Sequence, residues 1–281
     1  MRLPALVAAA LAEDLGKRGD ITSQLMIPDD TFGIAEVVAR APGVFAGREA
    51  GAEVVHQAQL AAEWLCKDGA KLSAGQPAVR ITGSARTILA AERTLLNFLS
   101  HLSGIATMTA EYVAVCRPAL VLDTRKTTPG WRQLEKAAVA AGGGTNHRMG
   151  LFDRVLVKDN HLALAGESLA NVVRLARKRL PGVIVQVEAD DLRGVERALA
   201  CEVDWILLDN MDVSTMRHAV RINRGKTKLE ASGRMDLERA AAAAACGVDA
   251  ISVGALTHSA PVLDLGLDMR AGEPSKLTSW R

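Results

Sequence analysis

A chain of 281 residues, 49% hydrophobic and 23% charged, is long enough for one large α/β domain or two ordinary ones. Its formal net charge is only +2 and aromatics make up 3%, which argues against the basic stripe and stacking platforms of a nucleic-acid binder. Cysteines at 66, 116, 201 and 246 lie too far apart for a metal knuckle or a CxxC pair, and read as reduced thiols of a cytoplasmic protein.

The N-terminal "MRLPALVAAALAEDLG" predicts an amphipathic helix over 4–15. It is not a signal peptide, because Glu13 and Asp14 occupy the place of a cleavage region. No stretch reaches the roughly 18 apolar residues of a membrane span. "GDITS" (19–23) is a turn in which Asp20 or Thr22 is able to cap the next element. "IAEVVAR" (34–40) alternates as a strand and "GVFAG" continues the sheet character. A helix is expected over 48–62, then short strands with glycine turns over 68–83. That glycine-turn pattern is similar to a biotinyl carrier hammerhead, but no lysine stands at a hairpin tip in a Met-Lys-Met-like context. From Ala85 to about Cys116 the chain is helical, with a break expected at Ser103-Gly104.

Beyond residue 118, apolar β-type runs alternate with helical stretches: "LVLDTRK" (120–126), "RVLVKDN" (154–160), "VIVQVEAD" (183–190), "WILLDN" (205–210), "KLEASG" (228–233) and "AISVGA" (250–255). Continuous apolar strands between helices imply a parallel sheet buried on both faces. Their number and spacing point to a (β/α) barrel or a near relative. The runner-up, a doubly wound open sheet, would want a Gly-rich phosphate turn after its first strand, and "DTRKTTPG" is not one. The "ERAAAAAACG" stretch reads as a closely packed barrel helix.

Barrel chemistry sits at the carboxyl ends of the strands. Those ends carry Arg125, Lys126, Lys158, Glu188, Asp209 and Glu230, and "GGGTNHRMG" (142–150) adds His147 and Arg148. At an effective dielectric of about 20, two like charges ~4 Å apart repel by ~4 kcal/mol, so such a cluster needs an anionic occupant. Arginine forks suit carboxylates and phosphates. Glu188 and Asp209 have the wrong sign for an anion, unless they serve a Mg²⁺ or ribose hydroxyls. Small residues in "EASGR" and "SVGA" let backbone amides approach a phosphate. The residues thus describe a barrel enzyme that joins a phosphorylated substrate to an organic polyanion with Mg²⁺. The glycine run is expected to let "TNHRMG" fold over the mouth.

The motifs "DTRKTTPG", "GGGTNHRMGLFD", "VKDNH", "LLDNM", "EASG" and "VGALTHS", with "EDLGKRGDITS" and "ERTLLNFLSHLSGIAT" before them, resemble the quinolinate phosphoribosyltransferase family from about residue 10 to 267. The resemblance implies an N-terminal α/β sandwich domain over 1–104, joined by the segment 266–281, and an incomplete (β/α) barrel over 105–265. It implies transfer of the phosphoribosyl group of phosphoribosyl pyrophosphate to quinolinate, giving nicotinate mononucleotide, pyrophosphate and CO₂ in NAD biosynthesis, with Mg²⁺. Quinolinate-binding positions fall on Arg125, His147, Arg148 and Lys158, with Thr124 beside them. Lys126 matches a lysine serving the phosphoribosyl substrate. Glu188 and Asp209 match acids on the ribose and metal-pyrophosphate side. Lys126, Lys158, Glu188 and Asp209 form the implied catalytic set. Ser232, Gly233, Arg234 and the Val253-Gly254-Ala255 turn match 5′-phosphate loops. Arg93 matches an arginine that enters a neighbouring subunit's site, which implies a homodimer or higher oligomer.

The chain departs from the family where Glu-x-Glu becomes Gln186-Val187-Glu188, where Ala189 replaces a β-branched residue, and at Arg234, a position where Gly or Asn is common. Arg234 reads either as a further phosphate contact or as a side chain in solvent. Glu230 reads either as a substrate contact or as a residue that orients the cations. Lys158 could instead be a core lysine paired with Asp159 or Glu188. His101, His161 and His258 read as capping or supporting residues, and His56 and His218 as helix-surface residues. The tail "RAGEPSKLTSWR" is polar enough to be disordered. Two other functions compete: a Schiff-base aldolase using Lys158 or Lys126, and a relative with a changed task, such as the molybdenum-transport-associated proteins. The intact "TRKTTPG" and "NHRMG" weigh against the latter.

Overall fold

The computed structural model describes residues 2–272, and the expected disorder of the polar tail concerns residues that, from Glu273 onward, lie outside that range. The described residues divide into two units: 2–108 with 129–142 and 260–272, and 109–128 with 143–259.

The first unit contains β1 (Phe32–Ala39), β2 (Gly43–Val44), β3 (Ala61–Trp64), β4 (Lys71–Leu72) and β5 (Pro77–Ser84). Its antiparallel sheet runs, edge to edge, from the C-terminal strand Leu265–Ala271 through β1 and β5 to β3, while β2 and β4 form a separate small ladder. Asp20 caps the helix Ile21–Met26, accepting from the amides of Thr22 and Ser23. The helix expected to reach residue 62 ends at Gln57, and Gln59, at φ 54, turns the chain into β3. The helix Ala85–Cys116 buries Ile88, Ala91, Leu95, Phe98, Leu99, Leu102 and Ile105 along one stripe, which is why it forms.

The break expected at Ser103-Gly104 does not occur. The Ser103 hydroxyl accepts from the Ala46 amide at 3.0 Å and donates to the Ala46 carbonyl, so its polarity is spent on a neighbouring strand end. Gly104 is needed for close approach, because a Cβ there would meet the Pro261 carbonyl oxygen and the backbone of Val262. Residues 129–142, inside the expected barrel span, group with the first unit. The cause is visible in Trp131, stacked on Phe98 at 4.6 Å, and in the buried Glu135, 3.0 Å from His101 Nε2.

The second unit is a six-stranded parallel sheet of β6 (Leu120–Leu122), β7 (Val155–Val157), β8 (Val185–Ala189), β9 (Trp205–Asp209), β10 (Lys228–Ser232) and β11 (Ala250–Ser252), in the order β6-β11-β10-β9-β8-β7. β6 and β7 follow each other in the chain yet lie at opposite edges, as in a (β/α) barrel left open between its first two strands. All the expected runs are strands, but shorter. Their last residues leave the ladder to become the loops that carry the site. Asp191, Asp212 and Asp236 cap the intervening helices by accepting from the amides of Gly194, Thr215 and Arg239. Each such cap stabilises by about 1 kcal/mol. Ala240, Ala243 and Ala244 are buried, so the alanine-rich helix packs closely as expected. None of the described helices is long and apolar enough to cross a membrane. The cysteines are free thiols.

Candidate active site

The glycine run ends the helix Arg132–Ala141 in a turn, with Gly143 at φ +87. Thr145 then joins the open edge of β6: its amide donates to the Val121 carbonyl at 2.8 Å in a parallel bridge to Leu122. Two carboxylates fix the residues after it. The His147 amide donates to Asp123 at 2.9 Å, and the amides of Met149 and Gly150 donate to Asp153 at 2.6 and 3.1 Å. The loop is therefore tied to β6 and to itself, and forms a rim that brings His147 and Arg148 to one cavity. The glycines are there for the turn.

At the carboxyl ends of the strands lies a cavity of about 330 Å³. Thr124, Arg125, Lys126, His147, Arg148, Lys158, Glu230 and Ser232 all line it, together with Asp123, Ser252, Leu156 and Leu207. Arg125 and Lys126 are exposed, while Arg148 and Lys158 are half-buried. Burial, and after it the charge of Arg125, push the Arg148 guanidinium down from its ordinary value. That is the electrostatic signature of cations gathered ahead of an anion. Lys158 pairs with Glu188 at 2.6 Å, and an amine so paired must give up its partner before it can add to a carbonyl as an aldolase lysine does.

Asp123 and Glu230 are wholly buried. Glu230 accepts from Gln186 Nε2 at 2.7 Å and from the Ser252 hydroxyl, and lies 3.3 Å from His147 Nε2. Burial pushes its carboxyl up, but the hydrogen bonds from His147, Ser252 and Gln186 outweigh that and hold it below the usual glutamate range. The Arg148 amide donates to His147 Nδ1 at 2.7 Å, which leaves Nε2 to carry the ring proton toward Glu230. His147, expected with Arg148 as a cationic tip, is thus a ring with both nitrogens engaged.

Other expected residues stand outside the lining. Glu188, at the end of β8, reaches the cavity through Lys158. Asp209, at the end of β9, accepts from Asn210 Nδ2 at 2.8 Å. Gly233, at φ +103, lies against Asn210, where any side chain would clash with both its amide and its side chain. Arg234 is exposed at φ +47, a left-handed backbone that explains why Gly or Asn suits the position. Val253 is wholly buried and its amide donates to the Leu122 carbonyl, so that turn can offer a phosphate only the amides of Gly254 and Ala255. A Cβ on Gly254 would press on the Lys126 side chain and on His258, which ties its smallness to the placement of Lys126. His161 Nδ1 accepts from the Lys158 amide at 3.0 Å, a capping role as expected. Arg93 is exposed at a different cavity, in the first unit, with Glu13, Asp14, Asn97 and Trp131.

Sequence reasoning missed Asp123, Arg154 and Ser252 as parts of the site and saw Gln186 only as a lost charge. A polar residue inside an apolar strand run, as in "VIVQVEAD", was the signal that could have found Gln186.

Two family models match the chain: the N-terminal domain of quinolinate phosphoribosyl transferase over residues 20–103, and its C-terminal domain over residues 105–268. The chain is 43% identical to the nicotinate-nucleotide pyrophosphorylase (carboxylating) of Mycobacterium leprae over 94% of its own length and 95% of that protein. It is 38% identical to a probable enzyme of the same name from Bacillus subtilis, over 98% and 96% respectively. The solved structure of the nicotinate-nucleotide pyrophosphorylase from Francisella tularensis superposes with a TM-score of 0.91 at 40% identity, covering 95% of this chain and 96% of that one.

Proposed function

The chain belongs to the quinolinate phosphoribosyl transferase family, and from that premise we propose that it transfers the phosphoribosyl group of phosphoribosyl pyrophosphate to quinolinate. The products are nicotinate mononucleotide, pyrophosphate and CO₂, a step of NAD biosynthesis. The observation that carries this reading is the convergence of Arg125, Lys126, Arg148 and Lys158 on one cavity.

Quinolinate is a planar pyridine with two carboxylates. It neutralises the mutual repulsion of Arg125, Arg148 and Lys158, whose guanidinium forks and ammonium group orient its ring, while Lys126 faces the phosphoribosyl substrate. The pyridine nitrogen then displaces pyrophosphate from a ribose carbon that has oxocarbenium character. Catalysis of such a step is positioning and electrostatics, which fixed cations supply. Loss of CO₂ breaks a ring carbon–carboxylate bond and leaves an electron pair beside a positively charged ring nitrogen, which stabilises it until a proton from water completes the C–H bond of the product. Leu156 and Leu207 give the pyridine ring apolar walls.

Mg²⁺ fits as a companion of the pyrophosphate. The described residues offer no cluster of three or more metal-ligating side chains. Mg²⁺ commonly takes one or two carboxylates plus substrate phosphates, and Glu188 and Asp209 are the acids that would serve it. Bound there, it would neutralise charge on the departing pyrophosphate. Lys126, Ser232, Gly233, Gly254 and Ala255 form the phosphoribosyl side of this reading. We further assign the protein to the cytoplasm and to a homodimer or higher oligomer in which Arg93 completes a neighbouring subunit's site. The exposure of Arg93 on its helix supports that role.

The deciding assay supplies quinolinate and phosphoribosyl pyrophosphate together and follows nicotinate mononucleotide, pyrophosphate and CO₂. All three are expected only with both substrates. Turnover of nicotinate in place of quinolinate would sink the reading. Mixing inactive Arg93→Ala with inactive Lys158→Ala subunits is expected to restore part of the activity; no recovery after confirmed subunit exchange would sink the shared site.

A further inference from the structure

We propose that Gln186 is a positioning residue: its side-chain amide, held in one orientation by Arg154, aims Arg148 at the quinolinate carboxylates through Glu230 and His147. This rests on the reading of the cavity as the quinolinate site.

Arg154 can only donate. Its Nη1 lies 3.1 Å from Gln186 Oε1, and its guanidinium sits 5.6 Å from the centroid of the Trp205 ring. The amide oxygen must therefore face Arg154, and the amide N–H₂ must face Glu230, 2.7 Å away. Gln186 is wholly buried, so no water competes for either end. Glu230, now carrying donors from Gln186 and Ser252, completes its set with His147 Nε2–H. That fixes the tautomer, and Nδ1 is left to accept the Arg148 amide at 2.7 Å. The opposite tautomer would bring two N–H groups together across that distance. The Arg154 Nη1 approach to Nε2, at 3.4 Å, is the milder conflict and does not decide the ring. The circuit closes where the Arg148 guanidinium donates to the Arg154 carbonyl at 3.3 Å.

A carboxylate at position 186 would satisfy Arg154 but present lone pairs to Glu230. A leucine would satisfy neither. In both cases the donor set on Glu230 is incomplete, the imidazole loses its fixed tautomer, and Arg148 loses its aim. The cations themselves remain, so the defect belongs to quinolinate recognition and leaves the phosphoribosyl side untouched.

The test uses the full-length protein with Gln186→Leu and Gln186→Glu, each alone and combined with Arg148→Ala. Quinolinate KM is expected to rise about tenfold in both single variants, the value of one hydrogen bond to a charged group, with kcat within about twofold. The KM for phosphoribosyl pyrophosphate should not move. In the Arg148→Ala background the change at 186 should alter kcat/KM for quinolinate by less than about twofold, because its route is already cut. Nitrogen NMR of His147 should show the Nε2–H tautomer in the parent and a mixture in the variants. Two outcomes would overturn the proposal: an unchanged tautomer, or an undiminished tenfold loss in the Arg148→Ala background. If Gln186→Leu fails to fold, the near-isosteric Gln186→Glu carries the same comparison. If the parent protein bound no quinolinate, the functional reading would fail alone, since the tautomer is read without substrate.

Discussion

The two ends of the barrel unit treat charge in opposite ways. At the amino ends of the strands, cations have matched acids that also tie down a strand amide. Arg177 meets Asp204 at 2.9 Å while Asp204 accepts from the Val185 amide at 2.7 Å. Lys228 meets Asp249 at 2.6 Å while Asp249 accepts from the Leu229 amide at 2.9 Å. At the carboxyl ends, Arg125, Lys126, Arg148 and Lys158 share a cavity whose acids, among the described residues, are Asp123 and Glu230, both buried with donors of their own. One end closes its electrostatics within the fold. At the other, Lys158 meets Glu188 at 2.6 Å, yet the cavity lining still gathers four cations against two acids. That contrast separates residues kept for stability from residues kept for chemistry.

The contrast is broken most directly at the mouth. Arg148→Ala and Lys158→Ala should lower kcat/KM for quinolinate about a hundred- to thousandfold, the loss expected when one member of a desolvated charge pair is removed. The melting temperature of Arg148→Ala should hold or rise, since like-charge repulsion is relieved, whereas Lys158→Ala gives up its pair with Glu188 and should hold or fall slightly. Near-normal turnover at low quinolinate would mean the cavity is not the quinolinate site. The opposite end should respond oppositely. Asp204→Ala leaves the Val185 amide without its acceptor and should cost about 1–3 kcal/mol of stability, with turnover per folded molecule unchanged. Lost turnover without lost stability would erase the distinction between the ends.

Acid sharpens it further. The Glu230 carboxyl lies below the usual glutamate range in the folded protein. A depressed carboxylate contributes stability that is fully present above its unfolded value and is lost as pH falls through the folded value. The contribution should therefore begin to fall as pH enters the ordinary glutamate range, where the unfolded chain takes up the proton, and be gone once pH drops below the folded value. Urea unfolding of the parent protein and Glu230→Gln, compared from neutral pH downward, should show curves that converge only in that acid window. Parallel curves would mean Glu230 does not keep its charge in the fold.

The mouth was more legible in sequence than the network beneath it. Strand-end cations announce themselves because a parallel strand ends where its apolar run ends, so Arg125, Lys126 and Lys158 could be placed from the pattern alone. Gln186 and Glu230 could not be paired that way. They lie on β8 and β10, with β9 between them, and meet only because inward side chains of alternate strands share a layer. The unbroken helix through Gly104 was hidden for a related reason: what the glycine accommodates comes from Pro261, far along the chain. The matched acids at the amino ends were invisible too, since Asp204 and Asp249 look like ordinary loop residues until register brings them to a strand amide.

The smallest expected effect tests a residue at the rim. Arg234 follows Gly233 into a left-handed backbone, φ +47 after φ +103. For an arginine that conformation costs about 1–2 kcal/mol, and asparagine tolerates it better. Among the described residues nothing pairs with the arginine side chain, which is exposed. A strained residue at this place raises the reading of Arg234 as a further contact to the phosphate of the ribosyl substrate, beside Ser232 and Gly233, and sets it against the reading of a side chain in solvent. Arg234→Asn should therefore do two small things in opposite directions. Stability should rise by about 0.5 kcal/mol, and the KM for phosphoribosyl pyrophosphate should rise about threefold, the worth of one solvent-screened ion pair. Quinolinate KM should stay where it was. A gain in stability with no change in either KM would make Arg234 a solvent side chain, and the positive excess of the mouth would then end at Lys126.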